Sequence, residues 1–288
     1  MIGLKRNEVQ LLPHDPAWEQ LARETLSTLE RILGGAVRDA QHVGSTAIPH
    51  ICAKPVIDIA VGMGEPDDIL PFIPQLERNG FIHRPMNDNE WQRFFSCGDF
   101  AADIRTHHIH VVSYGGAEWC NYLNFRDYLT RFPDEARRYE AVKLRLAARY
   151  PHCRAAYTES KSEIILHMLR KALVWSWLGK RAHIIIDRPV GHIRHGAGYA
   201  LEYPINYGYI PGVTGGDGEE LDVYLMGVSE PVGEYDCRII GVVYRRNDDE
   251  DKLIAAPDGM SFTRAEMEDA VRFQEQFYDS YIRTGDGA

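Results

Sequence analysis

The chain has 288 residues, 44% of them hydrophobic and 26% charged, with a formal net charge of −10. A prior of ~150 residues per domain predicts two cores, and the acidic balance excludes general nucleic-acid binding, which would need a localised basic face. No apolar run approaches the ~20 residues that span a bilayer, and the opening "MIGLKRNEVQLLPHDPAW" lacks the apolar stretch of a secretory signal.

In chain order, residues 16–34 carry Trp18, Leu21, Leu26, Leu29, Ile32 and Leu33 at helical spacing and stop at a glycine pair, which predicts an amphipathic helix. "AVRDAQHVGSTAIP" then leads into "KPVIDIAVGM", a buried β-rich run, and "DDILPFIPQLERNGF" predicts a helix closing at Asn79-Gly80. In "IRTHHIHVVSYG", strand alternation puts Ile109 and Val111 on one face and His108, His110 and Val112 on the other. Residues 117–178 read as helical throughout, with Pro133 opening the second segment. At Gly179 the pattern changes to short strands between Gly, Pro and Asp turns, the mark of a small closed β structure. Residues 263–283 predict a helix capped by Thr263 and Glu266, and the tail 284–288 is expected to fray. The fold class is therefore α+β, divided into residues 1–178 and 179–288. Cys52, Cys97, Cys120, Cys153 and Cys237 follow no zinc-type spacing and read as reduced packing residues of a cytoplasmic protein.

The stretch "TGGDGEELDVYLMG" crowds Asp217, Glu219, Glu220 and Asp222 at the mouth of a strand, where like charges repel. Either this is a wet turn, as Asp-Gly often is, or Asp217, Glu219 and Asp222 direct carboxylates toward Mg²⁺. Bound Mg²⁺ bridging a phosphoanhydride activates water and neutralises the leaving phosphate. "NDDEDK" adds Asp249, Glu250 and Asp251 beside Lys252, and Tyr207 in "YPINYGYIPG" offers a hydroxyl to a phosphate oxygen.

"IDRPVG", "YPINYGYIPG", "DGEELDVYLMGV", "DKLIAAP" and "FQEQFY", in this order, resemble family I soluble inorganic pyrophosphatases over about residues 183 to 283. The resemblance implies an OB-like five-stranded barrel with helices, dependence on Mg²⁺ and hydrolysis of pyrophosphate. By position it implies metal binding by Asp217, Glu219, Asp222 and Glu250, a carboxylate at Asp187 reaching the metals, and phosphate binding by Tyr207 and Lys252. The sequence departs from the family in "HIRHGAGYALE", where only His192, Arg194 and His195 can replace the usual basic residues, and at Phe277-Tyr278, where a Tyr-Lys pair is usual. Arg194 is the candidate phosphate contact there.

In the first half, Gly44 and Ser45 follow a short strand, a place where small residues let backbone N–H groups approach phosphate. Asp58 stands in an apolar strand and needs a partner, because burying an unpaired carboxylate costs several kcal/mol. His108 and His110 can serve as metal ligands or as hydrogen-bond donors to it. "HVGSTAIPHICAKPVIDIAVGM", "THHIHVV", "FRDYL" and "AYTESKSEII" resemble the GrpB family over about residues 7 to 172. That resemblance implies a nucleotidyltransferase-like mixed sheet with an acidic metal site, although the second acid usual in such sites is absent from Asp58-Ile59-Ala60. Arg126, Lys143, Tyr157 and Lys161 match family positions that face an anionic ligand, with Tyr157 and Lys161 four apart on one helical face.

Together these readings predict Mg²⁺-dependent pyrophosphate hydrolysis in the second domain, joined to a GrpB-type domain that binds nucleotide or transfers a nucleotidyl group. The alternative is a non-catalytic phosphate or nucleotide binder with degenerate metal sites. The expected partner is a small phosphate compound and neither nucleic acid nor membrane. The pyrophosphatase resemblance further implies self-association through the barrel.

Overall fold

The computed structural model describes residues 2–196 and 198–285. The chain forms two compact units, Met1–Leu169 and Arg170–Ala288.

The first unit comprises β1 (Leu4–Lys5), α1 (Ala17–Leu33), β2 (Asp39–Val43), β3 (Ile57–Met63), α2 (Ile73–Arg78), β4 (Ile82–His83), β5 (Gln92–Cys97), β6 (Ile104–Arg105), β7 (His107–Ser113), α3 (Ala117–Arg131), α4 (Pro133–Arg149) and α5 (Arg154–Ser160), and α6 (Ser162–Ser176) runs through its end. Five strands make a mixed sheet in the order β2-β3-β7-β5-β4, with β3 and β7 parallel at its centre. Alternation along these two strands builds the core on one face. Ile57, Ile59, Val61, Ile109 and Val111 cluster with Trp18, Ala22, Leu29 and Leu33 of α1. Ala60 and Val112, on the opposite face, pack with Val43 and Trp119 of α3. Asp58 and His108 are register partners on that second face, and so are Ala60 and His110. Strand parity therefore places all three polar side chains beneath the helices. Pro71 interrupts the helix predicted over residues 67–81, because it lacks the N–H that an α-helix requires. A 3₁₀ segment over Pro66–Phe72 precedes α2 instead.

The second unit contains β8 (Arg181–Arg188), β9 (Ile193–Gly196), β10 (Tyr199–Glu202), β11 (Asn206–Thr214), β12 (Glu220–Leu225), β13 (Glu234–Arg245), β14 (Lys252–Ala256), α7 (Arg264–Glu275) and β15 (Ser280–Thr284). The order β14-β12-β11-β8-β13, with β13 also paired to β14, closes a five-stranded barrel, and β15 adds to β13. Val243 of β13 and Ile254 of β14 cluster with Tyr207 and Tyr224 and with Met267 and Val271 of α7. Gly208 on β11 passes so close to the Ile185 carbonyl of β8 that a Cβ would overlap it, so only glycine keeps this pairing. Thr263 and Glu266 form the predicted capping box of α7. The helix nonetheless ends at Glu275 rather than 283, because the β-branched and aromatic run at Ser280–Thr284 pairs with Gly241–Arg245 of β13. The expected fraying of the tail concerns residues 284–288, of which 286–288 lie outside the described residues. No helix among the described residues is long and apolar enough to cross a membrane. All five cysteines are free thiols, but Cys153 is exposed rather than packed.

Candidate functional sites

Asp58 opens onto a cavity of about 640 Å³ in the first unit. The His108 Nδ1 lies 3.1 Å from the Asp58 Oδ1, and the His110 Nε2 lies 3.6 Å from it. The other ring nitrogen of His110 meets the Tyr122 hydroxyl at 2.9 Å and the Gln92 Oε1 at 3.2 Å. His108 thus stands as the hydrogen-bond partner that aims the carboxylate, and His110 adds a longer electrostatic contact. Burial alone would push the Asp58 carboxyl up, but the hydrogen bonds and charges of His108 and His110 outweigh it and hold the group well below the usual carboxylate range. Burial pulls the His108 imidazole down against the pull of Asp58.

The cavity is also rich in basic residues. Lys54, Lys143, Arg154 and Lys161 all line the cavity. Lys143 is 1% exposed, and its Nζ donates to the Cys52 carbonyl at 2.6 Å. Lys54 and Lys161 flank the buried Tyr157 ring at 5.1 and 4.9 Å. Burial, reinforced by the Lys161 charge, pushes Lys54 and Lys143 down to about 7. Gly44 and Ser45 also line the cavity, with Ser45 Oγ 3.3 Å from the Tyr139 hydroxyl. Of the residues read from the sequence, the fold brings together Gly44, Ser45, Asp58, His108, His110, Lys143, Tyr157 and Lys161. Arg126 lies elsewhere. It ties α3 to β2 through Gln41 Oε1 and the His42 carbonyl, each at 3.0 Å, so its donors face the sheet edge. Lys54, Arg154 and Tyr139 were not foreseen. Lys54 stands four residues before Asp58, and a basic residue that close to a strand carboxylate was the available signal.

In the barrel, Lys252 is fully buried and its Nζ donates to Tyr207 Oη at 2.5 Å and to Asp222 Oδ2 and Glu250 Oε1 at 2.6 Å each. Tyr207 donates in turn to Asp222 Oδ2 at 2.5 Å, and burial, then the Asp222 charge, raises its hydroxyl well above the ordinary value. The second Glu250 oxygen accepts from Arg245 at 2.6 Å. Arg245, also fully buried, grips Glu275 with two hydrogen bonds of 3.0 and 2.7 Å and stacks on Tyr278 at 3.5 Å.

The remaining acids read from the sequence do not join this cluster. Asp217 and Glu219 are exposed on the β11–β12 turn, where Asp217 Oδ1 accepts from the Glu219 N–H at 3.1 Å. Asp187 is exposed beside Arg188 at 3.6 Å, and Arg194 is exposed on β9. Arg188, unforeseen from the sequence, covers the Tyr207 ring at 4.9 Å.

The Mg²⁺ that the pyrophosphatase resemblance implies would have to enter this cluster. Asp222 Oδ2 already accepts twice, and Lys252 and Arg245 occupy both Glu250 oxygens. Buried ammonium and guanidinium groups hold the space between the carboxylates, so the set as arranged does not fit a Mg²⁺ cage. Among the described residues no group of three or more His, Cys, Asp or Glu side chains is placed to hold a metal ion.

The GrpB protein family model matches residues 8–171, and the inorganic pyrophosphatase model matches residues 179–283. The chain is 36% identical over 173 residues to the glutamate-rich protein GrpB of Alkalihalophilus pseudofirmus, covering 59% of this chain and 99% of that protein. It is similar to the crystal structure of GrpB from Enterococcus faecalis, at 28% identity and a TM-score of 0.51, covering 56% of this chain and 98% of that one. The inorganic pyrophosphatase from Ehrlichia chaffeensis aligns at 20% identity and a TM-score of 0.31, covering 37% of this chain and 87% of that one. The chain belongs to the GrpB family through its first unit and carries an inorganic pyrophosphatase family domain in its second.

Proposed function

We propose that the GrpB unit binds a phosphorylated small molecule of nucleotide size in the Asp58 cavity. The supporting observation is that four basic residues, Lys54, Lys143, Arg154 and Lys161, line with two carboxylates, Asp58 and Glu118, one cavity of about 640 Å³, a volume usual for small-molecule sites. The ammonium and guanidinium groups neutralise phosphate oxygens. Gly44 lets the backbone come close, and Tyr139 and Tyr157 supply aromatic surface. A carboxylate held this far below neutrality is a weak proton acceptor, so Asp58 serves as a fixed negative charge for a hydroxyl or a cation carried by the ligand. Calorimetric titration with nucleoside triphosphates tests this. Lys161→Ala should weaken binding by roughly tenfold or more, the value of one lost charged hydrogen bond, and equal affinity in wild type and variant would refute the site.

A second reading concerns the barrel, namely hydrolysis of pyrophosphate or a related phosphoanhydride. It is favoured by the convergence of Tyr207, Asp222, Glu250 and Lys252, which the pyrophosphatase resemblance had grouped. Phosphate release from pyrophosphate, with and without added Mg²⁺, in wild type and Asp222→Asn, decides it. No release from wild type refutes this reading.

A further inference from the structure

Beside the Asp58 cavity lies another of about 580 Å³, lined by Arg6, Arg84, Arg105 and Arg154 and by no carboxylate among the described residues. In a chain of net charge −10 this is a local excess of positive charge. His108, Arg154 and Thr158 line both cavities, so a single layer of side chains separates them. The Arg84 and Arg105 guanidinium groups are held in place, and only Arg105 is paired with an acid among the described residues. Arg84 and Arg105 both lie over the Phe100 ring, at 4.3 and 4.4 Å from its centroid. Arg84 Nε donates to Ser96 Oγ at 3.0 Å and leaves its two terminal amino groups unused among the described residues. Of the four arginines, Arg105 alone has an acid partner among the described residues, Asp103 at 3.1 Å. The Arg6 and Arg105 charges each lower the affinity of Arg84 and of Arg154 for their protons, secondary to burial, so the cluster carries repulsion that a bound anion would relieve.

We propose that this arginine-lined cavity seats the oxyanion group, phosphate or carboxylate, of a second small molecule placed next to the phosphorylated ligand of the Asp58 cavity. Arginine suits the task because its planar fork presents paired donors to an oxyanion. A single-substrate binder needs no second cationic chamber behind His108, whereas a protein that brings a phosphorylated donor and an anionic acceptor together does. The proposal rests on the Asp58 reading only for the identity of the neighbour.

The full-length protein is titrated calorimetrically with inorganic phosphate and, separately, with malonate, in wild type, Arg84→Gln, Arg6→Gln and Lys161→Gln, with melting curves as a folding check. Arg84→Gln and Arg6→Gln should each weaken one binding event by roughly tenfold and leave the event sensitive to Lys161→Gln unchanged. The anion that shows this loss, phosphate or malonate, identifies the oxyanion class. Unaltered binding of both anions in folded Arg84→Gln and Arg6→Gln overturns the second chamber while leaving the Asp58 site standing. Loss in the arginine variants with no effect of Lys161→Gln keeps the chamber and removes the Asp58 reading.

Discussion

A Cβ atom placed on Gly44 would meet Asp58 Oδ2 at 2.5 Å, so the loop after β2 and the carboxylate on β3 fit together only with hydrogen at that position. Gly44 also has φ 69, in the left-handed region. Gly44→Ala is therefore expected to displace Asp58 as well as cost about 1–3 kcal/mol of backbone strain. Nucleotide titration should show binding lost, while a melting curve drops by only a few degrees. Unchanged affinity would separate the loop from the site.

The pH dependence of ligand binding follows from Lys54 and Lys143, both pushed down to about 7 by burial. A phosphate favours their protonated forms. Below that value both lysines already carry the charge; above it, binding has to take up protons, so affinity falls as pH rises from about 7. Calorimetry at about pH 8 in buffers of different ionisation enthalpy should register proton uptake, and Lys143→Met should reduce it. An affinity independent of pH between about 6 and 9 contradicts the assigned role.

Arg245 is fully buried between Glu275 and Glu250. Its removal leaves Glu275 without its cation and Glu250 with Lys252 alone, and breaking a buried pair in this way costs about 3–5 kcal/mol. Arg245→Met should lower the urea midpoint of the barrel by a corresponding amount. Adding Glu275→Gln to it should restore part of the loss, because the uncompensated charge is then gone. A single variant as stable as wild type would show that the network contributes nothing net.

Asp251 runs in the opposite sense to the lysines. Burial, with a further contribution from the Asp249 charge, pushes its carboxyl up to about 7, against the Arg245 N–H bond and the Lys171 and Arg245 charges that pull it down. The folded barrel holds that proton longer than the unfolded chain does. Its contribution is therefore full below the ordinary carboxylate value and is lost as pH rises through about 7. Asp251→Asn still accepts from the Arg245 N–H and should flatten the decline in melting temperature between about pH 5 and 8. An identical slope in both proteins would contradict this assignment.

Short-range order is legible in the sequence and long-range pairing is not. Period-two alternation puts His108 and His110 on one face of their strand and marks Asp58 as a buried acid in need of a partner, and the Thr263 to Glu266 spacing announces the start of α7. Both signals are carried by neighbours in the chain. Lys143 reads as an ordinary helix charge, yet it is buried against the Cys52 carbonyl, a partner 91 residues away. Arg245 is invisible for the same reason, since Glu275 lies 30 residues downstream. The crowd of acids at Asp217 to Asp222 invites a cation, and the fold supplies two from its own side chains to Asp222 and Glu250, Lys252 and Arg245. Arg126 matches a motif but spends its donors on β2, which spacing alone does not reveal.

The twelve residues of β13 lie against three strands in turn, β8 along the first part, β14 along the middle and β15 at the end. It is the seam of the cylinder. Until synthesis reaches Glu234, the strands already made form an open ribbon with unmatched backbone on both margins, the condition in which chains adhere to one another. Closure must also join residues as far apart as Ala182 and Cys237, and contacts of such separation form slowly. The second unit is consequently most vulnerable to misassembly during its own production, and any shortening of the gene product upstream of this strand would yield a sticky fragment instead of a smaller barrel.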